Sequence, residues 1–425
     1  MSPGPATSPD VVEVDVSLDV GAVPAGRLRR HAGRRGETAT FEYVESWLDA
    51  SERFAIDPNL PLGRGTFAPT RGRAVSAAIG DTAPDSWGRR LMQRAERRAA
   101  AREGRRVRTL GAVDYLLGVA DESRLGALRL RLPGGKAHEA PAPEGVPPMI
   151  ELGRLLRSTT RILRDEATDA DLALVLAPGS SLGGARPKAS VRDARGRLAV
   201  AKFPKDDDEY SLETWESIAL ALAGEAGIEV PDTELVRVDG RAVLLSRRFD
   251  REGDRRLPFV SAMTLTDSVD GEPGSYPDIV DALSLHGSRT TDDACSLYRR
   301  VAFNVLVSNV DDHLRNHGAL HVPGRGWRLA PAYDLNPVPA DLKAHVLSTA
   351  IDGDDATCSV DLLRESAPLY GLGDGDAVRI IAEVARSTRR WRSVAAGFGE
   401  RPAVIERMAS AFEHEALDEA LALGR

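Results

Sequence analysis

Two cysteines, Cys295 and Cys358, are all that the 425 residues contain. This excludes a disulfide framework and fits a reducing compartment. No apolar run reaches the roughly 18 residues that would mark a membrane span. The opening MSPGPATSPD lacks the basic and then apolar pattern of a secretory signal. No membrane association and a cytoplasmic location are therefore expected. Positive charge is not in excess either. The formal net charge is −8, so any nucleic-acid contact would need a local basic face or a partner. Also missing are the G-x-x-x-x-G-K-[ST] phosphate loop and the H-E-x-x-H helix of zinc proteases.

What is present is an ordinary globular balance, with 42% hydrophobic and 28% charged residues, in a chain long enough for two or three domains. VVEVDVSLDV alternates as a strand, and ATFEYVESWL reads as a strand turning into a helix. WGRRLMQRAERRAAAREGRRVR, residues 87–108, carries nine arginines against two glutamates. Such a run reads either as a solvated helical face or as a surface for a partner or operator DNA. The Pro- and Gly-rich segment 133–148 reads as a linker. From residue 149 the pattern is helix, Gly-rich loop, strand, helix and paired strands; from about 259 helical periodicity dominates. The expected division is an N-terminal α/β subdomain (1–148), a mixed α/β nucleotide-binding lobe (149–258) and a helical C-terminal lobe (259–425). The fold class is α+β, on the bilobal plan of a phosphotransferase.

In SSLGGARPKAS the paired glycines permit positive φ and close approach of backbone N–H groups to a polyanion, and Arg186 and Lys188 add positive charge. A plain turn accounts for the same pair. Lys202, in the apolar LAVAKFP, must snorkel or meet an anion. A helix begins near Ser211, where Glu216 is the preferred partner for that lysine; Glu213 and Glu216 also suit the positive end of the helix dipole.

SNVDDHLRNH, residues 308–317, sets Asp311 five residues before Asn316. This is the separation of catalytic Asp and metal-binding Asn in a kinase catalytic loop. Phosphoryl transfer needs a carboxylate to take the hydroxyl proton and hard oxygens to hold Mg²⁺. Asp334, in LAPAYDLNP, supplies the second carboxylate, the one for the metal. Asp312 reads as a loop-capping neighbour. His313, His317 and His321 recur every fourth residue, but Gly318 interrupts a helical zinc reading and ALHV looks like a strand. His313 either buttresses the loop or touches phosphate.

These motifs, in this order, resemble the HipA family, serine/threonine kinases of type II toxin–antitoxin modules. AGRL, FEY, PDSWGRRL and DYLLGV resemble its N-terminal region; SLGGARPKAS, VAKFP, GIEVP and SRRFDR its middle; SAMTL, NVDDHLRNH and LAPAYDL its last part. The resemblance implies a bilobal, HipA-like fold using ATP and Mg²⁺. Asp311 is then the base, and Asn316 and Asp334 hold the metal. Lys202 contacts the phosphates, and Gly183, Gly184, Ala185, Arg186, Pro187 and Lys188 form the phosphate loop. Arg247, Arg248 and Phe249 supply the adenine hinge, and His313 and Tyr333 flank the nucleotide. Ser181, with Ser180 beside it, matches a serine whose autophosphorylation switches the kinase off. A translation component such as an aminoacyl-tRNA synthetase becomes the expected substrate, with inhibited growth as the outcome. A small DNA-binding HipB-like antitoxin becomes the expected partner, and DNA is met only through it. Two other readings share these residues: a small-molecule phosphotransferase, and a non-catalytic binding partner of a repressor.

Overall fold

The structure is a computed structural model that describes residues 9–33, 36–70, 72–139, 145–176 and 184–424. Its contacts divide the chain into two units. One comprises residues up to Asp206 with Val238–Gly240 and Asp250–Val260; the other comprises Asp207–Arg237, Arg241–Phe249 and Ser261–Arg425.

The first unit begins with β1 (Val11–Leu18), β2 (Gly21–Gly33) and β3 (Gly36–Tyr43), joined later by β4 (Leu128–Arg131) in the order β3-β2-β1-β4. Val12, Val14 and Val16 are at most 1% exposed, as period-two alternation dictates for strands with one buried face. The β1–β2 register shifts between Val14 and Asp15, which face Gly26 and Pro24. A Cβ at Gly26 would lie 2.2 Å from the Phe41 ring, so the bulge needs glycine there.

Helix Ser86–Arg102 starts at Asp85, whose Oδ1 accepts from Gly88 N at 2.8 Å. Many of its arginines are engaged within the unit. Arg94 bonds Ile162 O; Arg98 and Arg102 reach Asp169 at 3.1 Å; Arg105, just past the helix, holds Glu96 and Glu103. Arg94, Arg98 and Arg102 thus tie the helix to residues 162–169, while Arg89, Arg97 and Arg106 are exposed as a solvated face would have them.

Residues on both sides of position 148 fall in the same contact unit. The Pro-rich segment is hydrogen-bonded on both sides: Glu139 N to Leu130 O, Asp121 N to Glu139 O and Arg192 N to Pro147 O. Helices Leu152–Leu163 and Asp169–Leu176, and the antiparallel hairpin of β5 (Lys188–Arg192) and β6 (Leu198–Lys202), belong with the N-terminal residues.

The second unit holds helix Leu212–Glu225, capped by Ser211, and the neighbouring strands β7 (Thr233–Val238) and β8 (Arg241–Arg247). Asp239 and Gly240 at their turn both have positive φ, 51° and 79°, as a two-residue hairpin requires. β9 (Arg251–Glu252), β10 (Arg255–Arg256) and most of β11 (Phe259–Ser261) belong to the first unit; from Ser261 on, in the second, helices dominate, chiefly Tyr276–His286, Thr290–Leu306 and Asp374–Thr388. The helical part also contains the antiparallel pair β12 (Gly318–Val322) and β13 (Gly326–Leu329). Trp215 is fully buried against Trp391 and Phe412, whose rings stack at 4.6 Å. The fold is mixed α and β, as expected.

Candidate active site

Helix Thr290–Leu306 ends where its buried apolar face gives way to SNVDDHLRNH. Ser308 turns the chain at φ 53° and donates its hydroxyl to Ala411 O at 2.8 Å. The loop that follows is fixed from beneath by one carboxylate, that of Asp312.

Asp312 is 1% exposed. Its Oδ2 accepts from Tyr276 Oη at 2.6 Å and Asn304 Nδ2 at 2.8 Å, and lies 2.6 Å from His317 Nε2. Its carbonyl accepts from Thr349 Oγ1 at 2.6 Å. Burial pushes the Tyr276 phenol well above its ordinary range, reinforced by the Asp312 charge, so it remains a donor. Sequence reasoning placed Asp312 as a cap, whereas it is the hub of the loop. Its adjacency to Asn304 and Tyr276 exists only after folding.

A second strut joins the two expected metal-binding segments. Asn309 Nδ2 donates to Asn304 Oδ1 at 3.0 Å, and Asn309 Oδ1 accepts from Asn336 N at 2.9 Å. Asn336 Nδ2 in turn lies 3.1 Å from Asp334 Oδ1. Asp334 sits at φ 61°, a left-handed conformation that Asp tolerates better than most residues. The loop of Asp311 and Asn316 and the turn of Asp334 are thus one hydrogen-bonded body.

On that body Asp311 faces outward, its side chain 65% exposed, with Lys343 Nζ 2.8 Å from Oδ1. Asn316 does the reverse. It is 5% exposed, its Nδ2 donates to Asp311 O at 3.3 Å, and its buried Oδ1 has no hydrogen-bond partner among the described residues. A buried amide oxygen without a donor is costly unless something occupies it. An unpartnered amide oxygen on the hydrogen-bonded body that also carries Asp334 is the hard donor type that Mg²⁺ takes, so the residues fit the metal.

Tyr333 donates to Arg315 O at 2.7 Å and stacks on Phe249 at 5.5 Å and 27°, bringing together two residues expected beside a nucleotide. Nδ1 of His313 is buried without a hydrogen-bond partner among the described residues. Arg247 pairs with Asp232, and Arg248 is buried. His313, His317 and His321 do not form one helical row. Leu314–Asn316 is a single 3-10 turn, and His321 lies on β12 against Trp327. Burial lowers the His321 pKa to about 4.

Gly184, Ala185, Arg186, Pro187, Lys188 and Lys202 lie in the first unit, Glu216 in the second. Lys188 and Lys202 face each other across β5 and β6. Lys188 Nζ is 2.8 Å from Asp85 Oδ2, and both side chains are buried. That partner, 103 residues away in sequence, was not legible from the loop. Ser180, Ser181 and Gly183 lie outside the described residues.

Comparison with known proteins gives the family and the fold. Residues 180–392 match the HipA-like C-terminal domain, and residues 15–115 the HipA N-terminal domain. The Sinorhizobium fredii protein named Putative kinase Y4mE is 26% identical over 324 residues, 69% of this chain and 71% of its own. A second from that organism, Putative kinase Y4dM, is 29% identical over 160 residues, 34% and 38% of the two chains. Among solved structures, a chain of the Shewanella oneidensis MR-1 complex of HipA, HipB and operator DNA superposes with a TM-score of 0.65. The match covers 97% of this chain and 96% of that one at 18% identity, a likeness of fold. With both domain matches in chain order and the fold shared end to end, the chain belongs to the HipA family.

Proposed function

We propose that this protein is an ATP- and Mg²⁺-dependent kinase that phosphorylates a serine or threonine hydroxyl of a protein. The observation that carries the reading is the contrast across one rigid loop: Asp311 exposed, and the buried Oδ1 of Asn316 without a donor among the described residues. Two kinase-named relatives support it.

In this reading Asp311 orients the acceptor hydroxyl and takes its proton as the oxygen attacks the γ-phosphorus. Asn316 and Asp334 would hold Mg²⁺, which when bound neutralises charge on the transferred phosphoryl group. The Asp312 network keeps Asp311 and Asn316 in register, so little reorganisation accompanies reaction. Phe249 and Tyr333 offer aromatic surface to adenine. The family motif assigns Lys202 to the phosphates, held by Glu216, and makes Ser181 or Ser180 a site of autophosphorylation. By the same resemblance the acceptor is a translation component such as an aminoacyl-tRNA synthetase, and the partner a HipB-like repressor. The fold shared with a chain of the HipA, HipB and operator DNA complex supports that partner.

Incubating the purified protein with γ-labelled ATP, with and without cell extract, tests the reading. Label on Ser180 or Ser181, or on an extract protein, is expected. Label confined to low-mass compounds would replace the protein kinase with a small-molecule phosphotransferase.

A further inference from the structure

The described end of the Gly-rich loop is gripped by a helix almost 100 residues earlier in the sequence. Lys188 Nζ lies 2.8 Å from Asp85 Oδ2 and 3.5 Å from Gly184 O, with the two charged side chains 3% and 5% exposed. Ser86 Oγ donates to Gly184 O at 3.1 Å, Trp87 Nε1 to Lys188 O at 3.2 Å, and Arg90 Nη2 to Ala185 O at 2.5 Å. Four consecutive contacts thus run from the first turns of helix Ser86–Arg102 to residues 184–188. None of the four is needed to cap the helix, which Asp85 Oδ1 already does through Gly88 N.

The chemistry of the pair argues for positioning. Residues directly opposite in an antiparallel ladder project on the same face, and like charges there repel. Lys188 and Lys202 are such a pair. Asp85 neutralises the first, so its ammonium serves the fold, not a ligand. Gly184 is matched to this arrangement. Its φ is 87°, and a Cβ would come 3.4 Å from Lys188 Nζ. Any larger residue would be strained by that φ.

We propose that Asp85 and Lys188, with Ser86, Trp87 and Arg90, are positioning residues that hold the Gly184–Lys188 backbone in its nucleotide-binding conformation. Lys188 acts through the loop and does not itself touch phosphate. This rests on the reading of the chain as an ATP-dependent kinase. It adds that the N-terminal helix sets the affinity of the loop for nucleotide.

The test uses the full chain and three variants. Asp85→Asn retains an amide able to cap the helix but discards the charge, and Asp85→Glu is the conservative control. Trp87→Phe removes only the indole N–H. Titration calorimetry with ATP and Mg²⁺ is expected to show weakening of at least about tenfold for Asp85→Asn, partial recovery for Asp85→Glu, and a KM for ATP that rises more than kcat falls. Amide exchange at residues 184–188 should quicken in Asp85→Asn and Trp87→Phe before any nucleotide is added. If the wild type binds ATP while both folded variants bind within about twofold of it and exchange at its rate, the proposal is overturned. If the wild type binds no ATP, the kinase reading fails, and exchange in the free protein still decides whether the helix holds the loop. Should Asp85→Asn fold poorly, Trp87→Phe carries the same readouts.

Discussion

Two neighbouring aspartates of one loop do opposite work. Asp311 is exposed, its side chain pairing with Lys343 alone among the described residues, and exposed pairs contribute at most about 1 kcal/mol. Asp311→Ala should therefore change the unfolding free energy by less than about 1 kcal/mol in urea titration while abolishing phosphoryl transfer. Asp312→Ala leaves Tyr276, Asn304 and His317 without their shared acceptor. It should cost about 3–5 kcal/mol, because buried donors lose their partner. If the two variants had equal stability, the division of roles would be wrong. For Asn316→Ala, transfer should fall by roughly 10²-fold or more, with stability little reduced because only one 3.3 Å bond is lost. The motif spacing singled out Asp311, Asn316 and Asp334 as the residues proposed for the site. Asp312 was not, since its partners at 276 and 304 converge only in the folded chain.

At the scale of elements, period and capping residues carried most of the reading. Alternation marked β1, and the polar Ser211 before an apolar helix marked its start. The paired strands expected after that helix are β7 and β8, turning at Asp239 and Gly240. Side-chain traffic between elements was illegible. The arginines of helix Ser86–Arg102 looked like a solvated face, but several reach carbonyls and carboxylates at 162–169. The Pro-rich segment looked like a linker, but at its described ends Glu139 and Pro147 are hydrogen-bonded to Leu130, Asp121 and Arg192. Packing of helix Leu212–Glu225 depends on Trp215 lying against the stacked pair of Trp391 and Phe412. Trp215→Ala should lose about 3–5 kcal/mol in chemical denaturation. A loss under about 1 kcal/mol would show that the cluster does not hold the helix.

For the whole molecule, buried histidines set an acid limit. His321 and His414 are each held near a pKa of about 4 by burial, with the neighbouring His345 also repelling a charge on His414, and burial lowers His345 as well. In the unfolded chain such groups titrate near 6.5, so below that pH the unfolded state binds more protons. Their contribution to stability is complete above about pH 6.5 and is lost as pH falls towards 4. The urea midpoint should fall across that window, and His321→Phe, which keeps an aromatic ring beside Trp327, should flatten the fall. The central claim is that Asp311 and Asn316 form a phosphoryl-transfer site on a loop that Asp312 holds rigid. Transfer of label from γ-labelled ATP to protein, compared for wild type and Asp311→Asn with ATP binding measured on the same samples, tests it most directly. Binding retained with transfer abolished is the predicted result, and transfer at the wild-type rate by Asp311→Asn would contradict the account.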